Sequence, residues 1–346
     1  MKGIQLLTDK EHFMTRLEVF PSIRVSRANS LFIDANAIHK FNGFGVAITG
    51  SSCYNLSIMK NEERRTLLKK IYSEEGLGLN IGRLSVGASD YSAEIYSYDD
   101  VPFDTELKYF SIVRDQKYII PMIKEILEIN PELYLFASPW SPPGWMKTGG
   151  NMCGGYMREE FLDCYAEYIV KFIKAYAQNG IKISALTPQN EPNTEQAGFM
   201  TACIMISKAI KCGYSSFTGW NLMLNEMGGP NIGPFLCGGL VTRNNDTTEL
   251  SHSGQFIAFS HISPYINRNS KIYPVFGAEE YNICMSEYPT VNREIEGFCI
   301  DNNDGKYVLV LINPNDKKRQ VQFQLDESWL YAELTPESIS TIIIEK

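Results

Sequence analysis

Between Phe41 and Trp220 the chain alternates short apolar runs with amphipathic stretches, and this alternation constrains the fold more than any other feature of the sequence. Strand-like runs at 45–48, 79–86, 133–137, 181–187 and 214–220 each end in polar or aromatic residues. Consecutive parallel strands need a crossover, usually a helix, so the pattern predicts an α/β architecture built on a parallel sheet. A helix over 63–73 is stopped by Gly76, and a second over 117–129 by Pro131, which cannot continue a helix. A third is set by Phe161, Tyr165, Tyr168, Phe172 and Tyr176, which recur every three or four residues and so share one face, with Gly180 as the stop. That aromatic stripe reads as packing against the sheet, because a crossover helix must bury one face.

Both ends of the chain have a different texture. The first forty residues carry short apolar bursts around Ile23, Val25 and 31–33, broken by Pro21. From Lys271 onward, 307–312 is apolar, Val321, Phe323 and Leu325 alternate, and Asp304-Gly305 makes a hairpin turn. The expected organisation is an α/β domain over 41–268 and a β-sandwich joining residues 1–40 to 269–346.

Composition narrows the function. No apolar run approaches the ~20 residues that cross a bilayer, so no membrane span is expected. With 32 Lys plus Arg against 40 Asp plus Glu, the net charge of −8 argues against a nucleic-acid partner, which needs clustered positive charge. The first residues lack the apolar core of a secretory signal, which makes a cytoplasmic location the expectation. Cysteines are dispersed with no C-x-x-C interval and the histidines show no metal-ligand spacing, so reduced thiols, no metal and no cofactor are expected. Gly76-Leu-Gly78 with Gly82 follows a helix, where a dinucleotide fingerprint must follow a strand, and no nucleophile elbow, P-loop or H-E-x-x-H motif occurs in the sequence.

The chemistry-bearing residues lie at strand ends. The run 181–187 leads into Pro188-Gln-Asn-Glu-Pro192, placing Asn190 and Glu191 at a strand's carboxyl end, where parallel α/β barrels build their sites. A carboxyl among aromatic rings loses hydration and stays protonated long enough to donate to a leaving oxygen, which makes Glu191 a candidate general acid. On this tetrapeptide alone, a surface Glu-Pro pair starting a helix is an equal alternative. Aromatics recur at other strand ends, with Trp140 and Trp145 in 138–145 and Trp220 in 217–221. Flat rings match the C–H faces of sugars, and polar groups such as Arg83 and Asp90 match their hydroxyl rims.

Phe44-Gly45 with Thr49, Arg83-Leu-Ser-Val-Gly-Ala-Ser-Asp90, Ser138-Pro-Trp-Ser-Pro-Pro-Gly-Trp145, Gln189-Asn-Glu-Pro192, Thr218-Gly-Trp-Asn-Leu222 and Gly228-Gly-Pro-Asn231 together resemble glycoside hydrolase family 30. The resemblance covers about residues 40–346 and is greatest to the glucosylceramidase-type branch. It implies a TIM (β/α)8-type barrel with an appended β-sandwich formed from both chain ends. It also implies a β-linked glucoside or related glycan or glycolipid as substrate, and retaining hydrolysis by two glutamates at the ends of strands four and seven. By the same resemblance Glu191 is the acid/base and Asn190 binds the sugar 2-hydroxyl. Asp90, Trp140 and Trp220 would hold the glycone, Arg83 would support the nucleophile electrostatically, and Asn231 would lie near the entrance.

One departure from the family pattern matters. The 21 residues 193–213 have room for one helix, yet a strand, crossover and next parallel strand take ~30, and the family places strands five to seven there with the nucleophile. About a hundred residues of the pattern are therefore expected to be absent, leaving a truncated five-stranded barrel whose edges invite self-association. Retaining hydrolysis needs a second carboxylate ~5 to 5.5 Å from the acid. Glu226 is a weak candidate for it, and Glu195, Glu279 and Glu280 are weaker, so impaired or absent turnover is the expectation. The alternatives are a carbohydrate-binding remnant that does no chemistry and an unstable gene fragment.

Overall fold

The computed structural model describes residues 3–23, 29–37, 41–187, 199–233, 237–277 and 295–346. In chain order, β1 (Gly3–Thr8), β2 (Thr15–Val19), β3 (Pro21–Ser22) and β4 (Asn29–Ile33) come first. The α/β run follows: β5 (Gly43–Ala47), α1 (Gly50–Ser57), α2 (Asn61–Tyr72), β6 (Ile81–Val86), α3 (Ile119–Ile129), β7 (Tyr134–Pro139), α4 (Leu162–Gln178), β8 (Ala185–Leu186), α5 (Phe199–Lys211) and β9 (Ser216–Asn221). Next are the short strands β10 (Met223–Asn225), β11 (Val241–Arg243) and β12 (Leu250–His252), then α6 (Gly254–Ile262). The chain closes with β13 (Lys271–Gly277), β14 (Glu296–Asp301), β15 (Lys306–Asn313), β16 (Arg319–Leu325), β17 (Ser328–Leu334) and β18 (Ser338–Glu345).

These elements make two compact units, one of Phe44–Gln196 with Thr218–Ser253 and one of Met1–Gly43 with Ala197–Phe217 and Gly254–Lys346. In the first, five strands form a sheet of order β8-β7-β6-β5-β9, with β5 to β8 mutually parallel. The strand-like runs of the sequence are these five strands. Among the described residues the sheet is open, with β8 and β9 at its two ends and α5 as the helix between them in sequence. Among the described residues this TIM-barrel-type α/β sheet has five strands, of which β5 to β8 are parallel. β5 is buried at every position, and a Cβ on Gly45 would run into the Ile81 carbonyl, so close packing of β5 on β6 requires glycine there.

The crossover helices bury the faces that their spacing predicts. α3 buries Ile119, Ile120, Met122, Ile123 and Ile126, and α4 buries Tyr168, Phe172 and Tyr176 of the aromatic stripe. Gly180 ends α4 at φ +78°, a conformation that costs glycine nothing. α2 has Glu62 and Glu63 in its first turn and Lys69 and Lys70 in its last, both favourable to the helix dipole.

Beneath α4 lies a buried polar cluster. The hydroxyls of Tyr98 and Tyr176 donate to Asp115 Oδ2 at 2.6 Å each, and that of Tyr96 donates to Oδ1 at 2.8 Å. Burial pushes the Asp115 carboxyl above its ordinary range, and the three hydroxyls pull it back by bonding to the charged form. The cluster pins the segment between β6 and α3 to α4.

The second unit is a β-sandwich type of sheet of order β2-β1-β18-β15-β14-β13-β4-β16-β17-β3. Both chain ends are woven into it: β1 lies between β2 and β18, and β4 between β13 and β16. Its core gathers Val19, Leu31, Val275, Leu309, Val321, Phe323, Leu330 and Ile342. Helices α5 and α6 pack on each other, α5 against β14 and α6 against β18. A nearly buried ion pair, Lys211 Nζ to Glu296 Oε2 at 2.8 Å, joins α5 to β14. On α6, fully buried His261 has Nε2 at 2.7 Å from Thr8 Oγ1 and Nδ1 at 2.9 Å from Thr341 Oγ1. The Thr341 hydroxyl donates to the His261 carbonyl, so its oxygen accepts from Nδ1–H, while Thr8 accepts the Met14 N–H and donates to Nε2. One neutral tautomer therefore satisfies every partner.

Two predictions follow from these buried groups. Tyr176→Phe removes one donor from a buried carboxylate and is expected to lower the unfolding free energy by about 1–3 kcal/mol in urea titrations at pH 7. Burial depresses the His261 imidazole from 6.5 to about 3. Below pH 6.5 the unfolded chain takes up a proton that the folded chain refuses, so this residue's contribution to stability is complete above 6.5 and is lost as pH falls towards 3. Between pH 6 and 4 the unfolding free energy of His261→Gln should fall less steeply with acid than that of the unaltered chain, by about 1.4 kcal/mol per pH unit.

Candidate active site

The α/β unit places a row of polar side chains across its sheet. Arg83 lies on β6, where buried residues alternate with half-buried ones, and it shares the half-buried face with Ser85. Parallel register sets Ser85 opposite Ser138 at the end of β7, so the guanidinium reaches Ser138, with Nη2 donating to Oγ at 3.2 Å. Thr187, just past β8, donates its hydroxyl to the same Ser138 Oγ at 2.7 Å. On the other side, the Arg83 Cζ lies 4.6 Å from the centroid of the Trp220 ring on β9, a cation–π contact. The Tyr91 ring meets Trp220 edge-on, with centroids 5.8 Å apart.

Asp90 completes the row. Burial raises its carboxyl above the ordinary range, against the pull of its own and the Tyr91 backbone N–H groups and the Arg83 charge. Burial in turn holds the Arg83 guanidinium below its ordinary value, and the Asp90 charge opposes that shift. The Asp90 carbonyl accepts the Ile232 N–H at 2.9 Å, which ties the loop after β6 to the loop carrying Asn231. Asp90 Oδ1 is buried and has no hydrogen-bond partner among the described residues. A buried carboxylate oxygen without a donor is costly in the protein alone, and a ligand hydroxyl would supply that donor. The arrangement thus offers an aromatic face, a cation and an acceptor on one patch, which is what a polyhydroxylated ring requires.

The sequence of residues 41–208 matches the model of the glycosyl hydrolase family 30 TIM-barrel domain. A putative glucosylceramidase of Caenorhabditis elegans is 42% identical over 159 residues, 44% of this chain and 31% of that protein. The lysosomal acid glucosylceramidase of Mus musculus is 36% identical over 169 residues, 47% of this chain and 32% of that protein. Over these residues the chain is similar to glycoside hydrolase family 30. An endo-1,6-β-D-glucanase of Neurospora crassa is also similar, at 32% identity over 174 residues, 48% of this chain and 36% of that protein. In each case the matched stretch spans about a third of the relative's own length. The fold as a whole is similar to the crystal structure of SrfJ from Salmonella typhimurium, with a TM-score of 0.87 at 20% identity over 100% of both chains. It is also similar to the endo-β1,6-glucanase BT3312, with a TM-score of 0.78 at 22% identity over 100% of this chain and 99% of that one.

The structure brings three of the family 30 motif residues together, namely Arg83, Asp90 and Trp220. Trp140 follows β7 directly and is half-buried. Asn231 shapes its own loop, donating to the Gly228 carbonyl at 2.9 Å and accepting the Gly233 N–H at 3.1 Å. Asn190 and Glu191 lie outside the described residues, as do Glu195, Glu279 and Glu280. Glu226 sits on an exposed turn after β10, where Oε2 accepts the Asn245 N–H at 2.9 Å. Trp145, read from the sequence with the sugar-facing aromatics, is instead a core residue: its ring packs on Phe103 and Phe161, and its N–H donates to the Asp99 carbonyl. Ser138 and Thr187 entered the sequence reading only as parts of a motif and a strand; their roles depend on which strands are neighbours. Among the described residues no group of His, Cys, Asp or Glu could hold a metal ion, and no helix is long and apolar enough to cross a membrane.

Since the Arg83 charge lowers the Asp90 carboxyl, Arg83→Met should raise it further. Carbon-13 NMR titration of the Asp90 carboxyl in the two proteins checks this, and an unchanged titration would mean that the two groups do not interact.

Proposed function

We propose that this chain is a glucosylceramidase-type family 30 protein that recognises the glycone of a β-linked glucoside, glycan or glycolipid. The observation that carries the reading is the Asp90 oxygen that is buried and, among the described residues, without a hydrogen-bond partner, beside Arg83 and the Trp220 ring. In such a site the ring takes the apolar sugar face, Asp90 accepts sugar hydroxyls, and Arg83 balances its charge. Glu191, one residue beyond Asn190 after β8, is assigned the acid/base role of a retaining glycosidase, protonating the leaving oxygen and later deprotonating water. Asn190 is assigned to the 2-hydroxyl, Trp140 to the glycone and Asn231 to the entrance.

Retention also needs a carboxylate nucleophile opposite the acid. The family motif that supplies it has no counterpart in this sequence, and Glu226 is engaged on an exposed turn. The proposed state of this chain is therefore sugar recognition with hydrolysis impaired or lost. The sequence names of its relatives, glucosylceramidase and endo-1,6-glucanase, support a β-glucoside as the ligand class.

The test is to purify the chain beside Glu191→Gln and follow an aryl β-glucoside chromogenically at pH 5 to 7. No turnover by either protein, with saturable binding of the glucoside to both, is the expected result. Turnover that disappears in Glu191→Gln would show that another group serves as nucleophile and would overturn the assignment of impaired chemistry.

A further inference from the structure

Thr49 belongs to the family motif at the end of β5, yet the sugar-site reading gives it no task. It is buried, with an extended backbone at φ −78° and ψ 165°, and it caps α1 by accepting the Ser52 N–H at 3.2 Å. The same hydroxyl donates to Asn221 Oδ1 at 2.8 Å. Ser52 Oγ lies 3.0 Å from the Thr49 hydroxyl and accepts the Met223 N–H at 3.0 Å, while the Leu222 N–H donates to the Ala47 carbonyl at 2.9 Å. The end of β5 and the cap of α1 thereby hold three consecutive residues, 221 to 223. Asn221 is 1% exposed, and among the described residues its Nδ2 has no partner and the Thr49 hydroxyl is what orients this side chain.

Trp220 is the residue immediately before this knot. Its ring is half-buried and meets Arg83 on its face and Tyr91 on its edge. A cation–π contact depends on where the ring plane lies, and that follows from the backbone at 220 and 221. We propose that Thr49 and Asn221 are positioning residues that set the Trp220 ring over Arg83. Neither touches the sugar; each acts through Trp220. The inference rests on the reading that Trp220 and Arg83 belong to a glycone site, and it adds the device that aligns them.

The test uses the full chain and two readouts. The first is the emission and acrylamide quenching of Trp220, taken as the difference between each protein and the same protein carrying Trp220→Phe. The second is the affinity for 1-deoxynojirimycin, a glucose mimic, by titration. Thr49→Val and Asn221→Ala should both shift the Trp220 emission to the red, increase its quenching and weaken the probe by roughly five- to ten-fold, the effect of losing one hydrogen bond. Thr49→Ser keeps the hydroxyl and should restore both readouts, which a loss of packing alone would not do. A folded Thr49→Val protein with the emission and affinity of the unaltered chain would overturn the proposal. If Thr49→Val does not fold, Asn221→Ala, which leaves the α1 cap intact, decides it by the same two readouts. If the unaltered chain does not bind the probe, the glycone reading fails by itself, and the Trp220 emission still decides whether the knot positions the ring.

Discussion

Parallel pairing is the constraint on which the α/β unit depends. Because β5, β6, β7 and β8 run the same way, their carboxyl ends fall on one rim whatever the intervening loops do. Arg83, Ser138 and Thr187 are far apart in sequence but become neighbours through that register, and β9, on the other side of β5, adds Trp220. Parallel sheets are stable only with both faces covered, which is why the crossover helices carry apolar stripes and why β5 is buried throughout. Each link in this chain follows from the one before: strand direction sets the rim, the rim gathers the polar side chains, and their mutual contacts define the candidate site.

Buried polar groups in the molecule fall into two kinds. Asp115 takes three tyrosine hydroxyls, and His261 engages two threonines through a single tautomer. Satisfied in this way, such groups rigidify their surroundings and leave nothing to offer a ligand. Asp90 differs, since among the described residues one of its oxygens is buried with no donor, although the Arg83 charge acts on the same carboxyl. An incomplete set of partners in a partly buried place is the physical mark that separates a site from a structural network.

Much of this could be read from the sequence, and the rest could not, for identifiable reasons. The five strands and the helices α2, α3 and α4 were legible because hydrophobic periodicity reports burial directly, and Gly180 marked a real helix end. Woven chain ends were legible as two β-rich segments, but not their strand order, because pairing depends on partners hundreds of residues away. Trp145 and Trp220 are alike on paper, both beside glycine after a strand-like run. One is enclosed by Phe103, Phe161 and the Asp99 carbonyl, and the other by Arg83 and Tyr91. No local pattern distinguishes them.

By itself, then, the sequence determined the α/β class, the β-rich ends and the family motifs that name Arg83, Asp90, Trp220 and Glu191, since these depend on residue type and spacing along one chain. Tertiary structure alone decided which strands are neighbours, that Ser138 and Thr187 join Arg83, that Trp145 belongs to the core, and that Thr49 reaches Asn221. The reason is that hydrogen bonds and ring contacts between distant residues are set by register and burial, and neither is encoded at the position of either partner.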